Sequence, residues 1–240
     1  MNLIIDVGNT RIKAAVFEND RLVELVVFNH DALINEVESL LEKFNITAGI
    51  ISSVSFLTED VLQKLQEKCS FLYLNSETRI PFNNKYGTPK TLGVDRIAAM
   101  ANAAVAFQGK NMLVIDAGTC ITYDFINSDG DYFGGTISPG IEMRYKALHH
   151  FTSKLPLLSK IEAANEIGNS TEESIHSGVI HAVLHEVQGF ISSYQNKNKD
   201  LTIVLTGGDT NFLAKQLKSS IFANPNFVLE GLNAILIYNK

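Results

Sequence analysis

The chain opens on an apolar run, NLIID, which breaks at a small polar turn and resumes as IKAAVF. RLVELVVFNH follows after the turn-like END. Short, partly β-branched runs between turn residues predict three strands in an antiparallel meander. The spacing then changes. DALINEVESLLEKF places Leu33, Val37, Leu40 and Leu41 on one face of a helix. AGIISSV predicts a buried strand and SFLYLN another. Between them TEDVLQKLQEK predicts a helix capped by Thr58, with Val61 and Leu65 inward. Pro81, Gly87 and Pro89 give SETRIPFNNKYGTPKT irregular structure. LGVDRIAAMANAAVAF predicts a long alanine-rich helix. Its small residues permit close packing, either inside the fold or against a partner subunit.

NMLVIDAGTCITYDFI then repeats the opening. LIIDVGNTRIKAAVF and LVIDAGTCITYDFI share strand, Asp, small residue, Gly, Thr and second strand, with Asp6 and Asp116 in matching places. Such a repeat predicts two similar α/β halves facing each other across a cleft, with residues 1–108 in one and 109–240 in the other. The second half continues with YFGGTISPG as a glycine-rich turn region, MRYKALHHFTSKL as a helix and a long helix from near Thr171. LTIVLTGGDTNFLAKQL reads as strand, glycine turn and helix. NFVLEGLNAILIY closes the chain as a short strand and a final helix or strand.

Composition removes several function classes. At 240 residues, with 45% hydrophobic and 19% charged, the chain has material for a large core. Its net charge of −6 and lack of a basic cluster argue against extended nucleic-acid binding. Cys69 and Cys120 lie in unrelated contexts and make neither a disulfide framework nor a zinc site. No leader pattern is present, and no run reaches the about 18 apolar residues of a membrane span. The expected location is the cytoplasm. His181 and His185 lie four apart on one helix face without a third ligand, which predicts a surface or packed pair rather than a metal site.

The chemistry concentrates in four small-residue turns, DVGNT, DAGT, GGTISPG and TGGDT. Glycine lets backbone amides approach an anion, and successive amides form a nest for phosphate oxygens. No GxGxxG or GxxxxGK[ST] motif occurs, so Rossmann and P-loop readings lack support. Asp6 and Asp116 each end an apolar strand, where a carboxylate needs hydrogen bonds or a cation. Lys13 lies inside RIKAAVF, on the face of Arg11 if alternation holds, within reach of a transferred phosphate. Asp95 and Arg96 open the alanine-rich helix. They read either as partners of the helix dipole or as a base and a carboxylate clamp.

In these motifs the chain resembles the type III pantothenate kinases, of the acetate kinase, sugar kinase, Hsp70 and actin superfamily. DVGNTRIK (Asp6 to Lys13) and DAGTCIT (Asp116 to Thr122) match the family's two phosphate motifs, with Cys120 where alanine is common. GVDR (Gly93 to Arg96) matches the substrate and dimer-interface motif. GGTISPG, GNSTEESIHSG, TGGDT and LEGL follow in the family's order. The resemblance implies two ribonuclease H-like, actin-like ATPase domains, each a mixed sheet flanked by helices. It implies ATP-dependent phosphorylation of pantothenate to 4′-phosphopantothenate, the first committed step toward coenzyme A, in a homodimer with a composite active site. The cofactors implied are ATP, Mg2+ and a monovalent cation, K+ or NH4+. Asp95 is implied as the proton acceptor. Asp6, Val7, Gly8, Asn9, Thr10, Arg11, Ile12, Lys13 and Thr119 fall at ATP, and Asp116 at the monovalent cation. Tyr86, Gly93, Val94, Asp95, Arg96 and Thr171 fall at pantothenate. A nonenzymatic regulator resembling the Bvg accessory factors, or a kinase of the same superfamily for another small alcohol, remains open. Intact Asp6, Asp95, Arg96 and Asp116 favour an active enzyme.

Overall fold

In chain order the first elements are β1 (Asn2–Val7), β2 (Ile12–Glu18), β3 (Arg21–Phe28), α1 (Leu33–Lys43), β4 (Ala48–Ser53), α2 (Glu59–Lys68), β5 (Phe71–Tyr73), β6 (Asn83–Asn84) and α3 (Val94–Ala106). Then follow β7 (Asn111–Ala117), β8 (Cys120–Ile126), β9 (Asp131–Pro139), α4 (Ile141–His150), α5 (Thr171–Lys197), β10 (Leu201–Thr206), α6 (Thr210–Ala214), β11 (Phe222–Ala223) and α7 (Phe227–Tyr238). The structure is a computed structural model describing residues 1–55, 57–162, 165–217 and 220–240, without the side chain of residue 60. Its contacts divide into two units. One holds Met1–Gly109, Gly130–Phe133 and Asn226–Lys240, and the other Lys110–Asp129 and Gly134–Pro225.

The first unit carries a sheet ordered β3-β2-β1-β4-β5, antiparallel through the meander and parallel from β1 to β5. Alternation sends Leu3, Ile5 and Val7 of β1 to one face, where they join Leu33, Val37 and Leu40 of α1 and Leu65 of α2 in one buried cluster. Leu41 and Val61 pack against it, partly buried. Thr58 caps α2 by accepting a bond from the Val61 amide at 3.4 Å. The opposite face takes α7, whose Asn233 Oδ1 accepts from Asn2 Nδ2 at 2.7 Å. The alanine-rich α3 therefore packs inside its own unit, against α7. Its Asn102 Nδ2 donates to Phe227 O at 3.0 Å and Glu230 Oε2 at 2.9 Å. A Cβ on Gly231 would lie 1.8 Å from Ala98 O, so LEGL is a backbone-to-backbone contact. Gly231→Ala is expected to force the helices apart, at about 1–3 kcal/mol for an overpacked core. The thermal midpoint in a circular-dichroism melt should fall by roughly 2–4 °C per kcal/mol in a chain of this size. An unchanged midpoint would contradict the contact.

The second unit repeats this topology. Its strands run β11-β10-β7-β8-β9, the first sheet's order with β7 in the place of β1. β7 and β8 are antiparallel, and β10 and β11 run parallel to β7. The burial pattern of residues 1–9 recurs identically over 111–119, with Asp6 and Asp116 each the part-exposed position before a buried Val7 or Ala117. Leu113, Ile115 and Ala117 face a core built with Ile141 and Tyr145 of α4 and Val179, Val183 and Val187 of α5. The two mixed sheets, each flanked by helices, give the ribonuclease H-like, actin-like architecture that the resemblance implies.

Two local expectations change. GGTISP, residues 134–139, is strand rather than turn, because Gly135 lies so close to β8 that a Cβ would come within 2.1 Å of Tyr123 O. The first residues of that strand, Asp131 and Tyr132, belong to the first unit and pair with β6. NFVLEGLNAILIY forms the single helix α7, and the short strand precedes it as β11. Among the described residues, no helix is long and apolar enough to cross a membrane.

Candidate active site

The β1–β2 hairpin sets Asp6 opposite Lys13 and Val7 opposite Ile12. Val7 and Ile12 are fully buried anchors, while Asn9, Thr10 and Arg11 are exposed at the tip. Arg11 precedes β2, so the alternation invoked for Arg11 and Lys13 does not extend to it. Gly8 N donates to Arg11 O at 3.2 Å, and a Cβ there would stand 3.0 Å from that oxygen. Glycine at this place serves close approach, since its φ is not positive. The residue that the sequence did not single out is Ser52. It pairs with Asp6 from β4, and its Oγ donates to Asp6 Oδ1 at 2.9 Å. Burial raises the Asp6 carboxyl above the usual range. The Ser52 bond and the Lys13 charge pull it back, and the charge of Asp95 pushes it up again.

Asp95 belongs to the same unit as Asp6. Asp95 lies in the first turn of α3, after the N-cap Gly93. Its Oδ1 accepts from the Arg96 amide at 2.8 Å, and Gly93 makes room, since a Cβ there would be 2.5 Å from that oxygen. The helix N-terminus favours the charged carboxylate. Val94 is the first helical residue, and the Gly93 carbonyl accepts the first turn's bond from Ile97 at 3.1 Å. The buried Arg96 guanidinium lies 5.4 Å from the Tyr86 ring centroid. Tyr86 is stacked at 6.2 Å on the buried Tyr132. The structure thus brings Asp6, Lys13, Tyr86, Asp95 and Arg96 into one unit, and adds Ser52 and Tyr132.

In the second unit, Gly118 N donates to Cys120 O at 2.9 Å, leaving Thr119 exposed at the tip of a hairpin one residue shorter than the first. Two other glycine motifs close on this turn. Gly140 N donates to Thr119 O at 3.0 Å, and a Cβ on Gly140 would reach within 2.1 Å of Gly118 O. Gly207, with φ of +94°, presses against Ala117 O and Asp116, where a Cβ would lie 2.4 Å from Asp116 Oδ1. Asp209 N donates to Ala117 O at 2.9 Å, and the Asp209 carboxylate holds Lys160. DAGT, GGTISPG and TGGDT are therefore one assembly.

Thr171 begins α5, directly after the N-cap Ser170, whose Oγ accepts from Glu173 N at 3.2 Å. It lines an open groove of about 1060 Å³ with Arg144, Leu148, Phe151 and Ser174. Arg144 pairs with Glu186 at 2.6 Å, and Tyr123 Oη donates to the same carboxylate at 2.8 Å. Burial pushes Glu186 up, but the bonds from Arg144, Ser138 and Tyr123 and the Arg144 charge hold it below the usual range. The ring centroids of His181 and His185 are 6.4 Å apart. Among the described residues, no three His, Cys, Asp or Glu side chains gather as a metal cluster. A hard monovalent cation needs only oxygens. Asp116 offers a carboxylate, and the buried Thr206 beside it offers a hydroxyl without a hydrogen-bond partner. These donors fit such an ion.

A family model described as type III pantothenate kinase matches residues 2–193. A type III pantothenate kinase of Christiangramia forsetii is 52% identical over 241 residues, covering 100% of this chain and 99% of its own. That of Flavobacterium johnsoniae is 46% identical over 239 residues, covering 99% of this chain and 98% of its own. Among solved structures, one from Campylobacter jejuni described as a conserved Baf family transcriptional activator aligns with a TM-score of 0.66 and 22% identity. That alignment covers 99% of this chain and 98% of the other. A glucokinase from an Antarctic psychrotroph aligns at 0.51 and 12%, again over 99% and 98%. Both likenesses speak for the fold.

Proposed function

The chain belongs to the type III pantothenate kinase family, and from that premise we propose that it transfers the γ-phosphoryl group of ATP to the primary hydroxyl of pantothenate, releasing ADP and 4′-phosphopantothenate. The observation that supports the residue assignments most is that Asp6, Lys13, Tyr86, Asp95 and Arg96 all belong to one unit, each at a position that the resemblance implies. Phosphoryl transfer needs alignment and charge neutralisation more than covalent help. Asp95, oriented through its Oδ1 by the Arg96 amide, accepts the hydroxyl proton as the oxygen attacks phosphorus. Arg96, braced by Tyr86, holds the pantothenate carboxylate, with Gly93, Val94 and Thr171 completing the substrate contacts. The turn from Asp6 to Lys13 and Thr119 hold the nucleotide, with the Lys13 ammonium beside the transferred group. Mg2+ near Asp6 and K+ or NH4+ at Asp116 supply positive charge against the phosphates when bound. The working form is a cytoplasmic homodimer with a composite active site.

A coupled assay of ADP release tests this reading with pantothenate, sugars and acetate, each in potassium or sodium. Turnover is expected with pantothenate alone and only in potassium. Turnover of a sugar in its place overturns the substrate, and nucleotide binding without turnover of any alcohol favours a regulatory homologue. Equal rates in sodium defeat the cation assignment.

A further inference from the structure

Three side chains cross the second sheet in a row. Asp116 on β7 is in register with Thr122 on β8 and with Thr206 on β10. Residues in register project from the same face of a sheet. Ile115, Ala117 and Leu205 take the other face, into the core under α4 and α5. Thr122, Asp116 and Thr206 therefore stand side by side. Thr206 is fully buried, yet its Oγ1 has no hydrogen-bond partner. A buried hydroxyl left unpaired destabilises the fold, and such a group in a native protein calls for a reason. Gly207 supplies the space, because any side chain there would run into Asp116 Oδ1.

The first unit contains the same row with different chemistry. Lys13, Asp6 and Ser52 occupy the positions of Thr122, Asp116 and Thr206. Ser52 Oγ donates to the Asp6 carboxylate at 2.9 Å, and the Lys13 ammonium stabilises its charge. In the second unit the lysine position carries a neutral hydroxyl, and the position of Ser52 carries a hydroxyl that donates to nothing. One carboxylate flanked by neutral oxygens matches a single positive charge and a hard ion.

We propose that Thr206 Oγ1 and the Thr122 hydroxyl join the Asp116 carboxylate as ligands of the monovalent cation, which takes in the second unit the place that the Lys13 ammonium holds in the first. The inference rests on the cation reading above and deepens it, by naming two ligands and a reason for the requirement.

Thermal unfolding of the full chain with β,γ-methylene-ATP reads the ion without turnover, when KCl is titrated against choline chloride at constant ionic strength. The wild-type midpoint is expected to rise with potassium. Thr206→Val keeps the shape and removes one ligand, so its half-saturating potassium should increase roughly tenfold, as for the loss of a polar group at a metal site. Thr206→Ser should restore the wild-type value. Thr122→Lys should abolish the potassium response by tethering an ammonium at Asp116. A Thr206→Val protein that half-saturates with the wild type overturns the proposal, whether or not Thr122→Lys folds. A wild-type midpoint indifferent to potassium, with pantothenate still phosphorylated, overturns the cation site and leaves the kinase standing. A Thr206-dependent potassium shift without pantothenate turnover supports the site and removes the kinase.

Discussion

Asp95→Asn is expected to lower kcat for pantothenate phosphorylation by about 10²–10⁴-fold, the range for losing a general base. KM for pantothenate should change little. The amide keeps an oxygen that can accept from the Arg96 amide, so α3 retains its first turn. What is lost is the capacity to take a proton, together with a charge that acts on Asp6. An interaction made only in the transition state lowers kcat and kcat/KM together. Steady-state kinetics with varied pantothenate at saturating ATP therefore distinguish the base from a binding group. A variant with wild-type kcat and a raised KM would make Asp95 a substrate holder.

The second large effect is a trade between stability and activity at Asp6. Its folded pKa is raised, by burial first and by the Asp95 charge, against the pull of Ser52 and Lys13. Where the pH lies between the ordinary aspartate value and the raised folded one, the folded protein holds a proton that the unfolded chain has released. Stability therefore falls as pH rises through that window, and the deficit persists at neutral pH. Asp6→Asn keeps an acceptor for Ser52 and removes the carboxylate charge that desolvation disfavours. Its ligand-free thermal midpoint at pH 7 should lie above that of the wild type, and the difference should shrink on acidification. Phosphorylation should fall at least about 100-fold, as when one electrostatic stabiliser of a charged transition state is removed. A variant less stable at pH 7 than the wild type would show that the Lys13 pairing outweighs desolvation.

Much of this was legible in the sequence, for identifiable reasons. The repeat of Asp, small residue, Gly and Thr after an apolar strand disclosed both hairpins, because those residues have few other uses there. The α1 face and the Thr58 cap followed from spacing and side-chain chemistry. Strand β9 did not, since glycine and proline read as turn signals. Gly135 instead answers a close strand neighbour that only tertiary structure supplies. Ser52 was missed because a lone hydroxyl in an apolar strand carries no local signal, and Thr206 was legible only as the first residue of the TGGDT turn. Their meaning appears when β4 and β10 pair in parallel with the strands that carry Asp6 and Asp116. Arg96 was legible as a motif residue and Tyr86 through the resemblance alone, while the Tyr132 on which Tyr86 stacks arrives from a strand distant in sequence.

The place of α7 bears on how the chain is made. Residues 226–240 belong with Met1–Gly109, where Asn233 bonds Asn2 and Gly231 meets Ala98. A ribosome that has delivered the first 109 residues has therefore not delivered a complete first unit. Its β1–β4 face lacks α7 through synthesis of all the intervening sequence. Vectorial folding, in which an N-terminal portion finishes before the next emerges, is thus closed to this half. The segment Lys110–Pro225, lacking only Gly130–Phe133, can mature ahead of it. The sheet that carries Asp6 therefore receives α7 only after the residues of the second unit have been made.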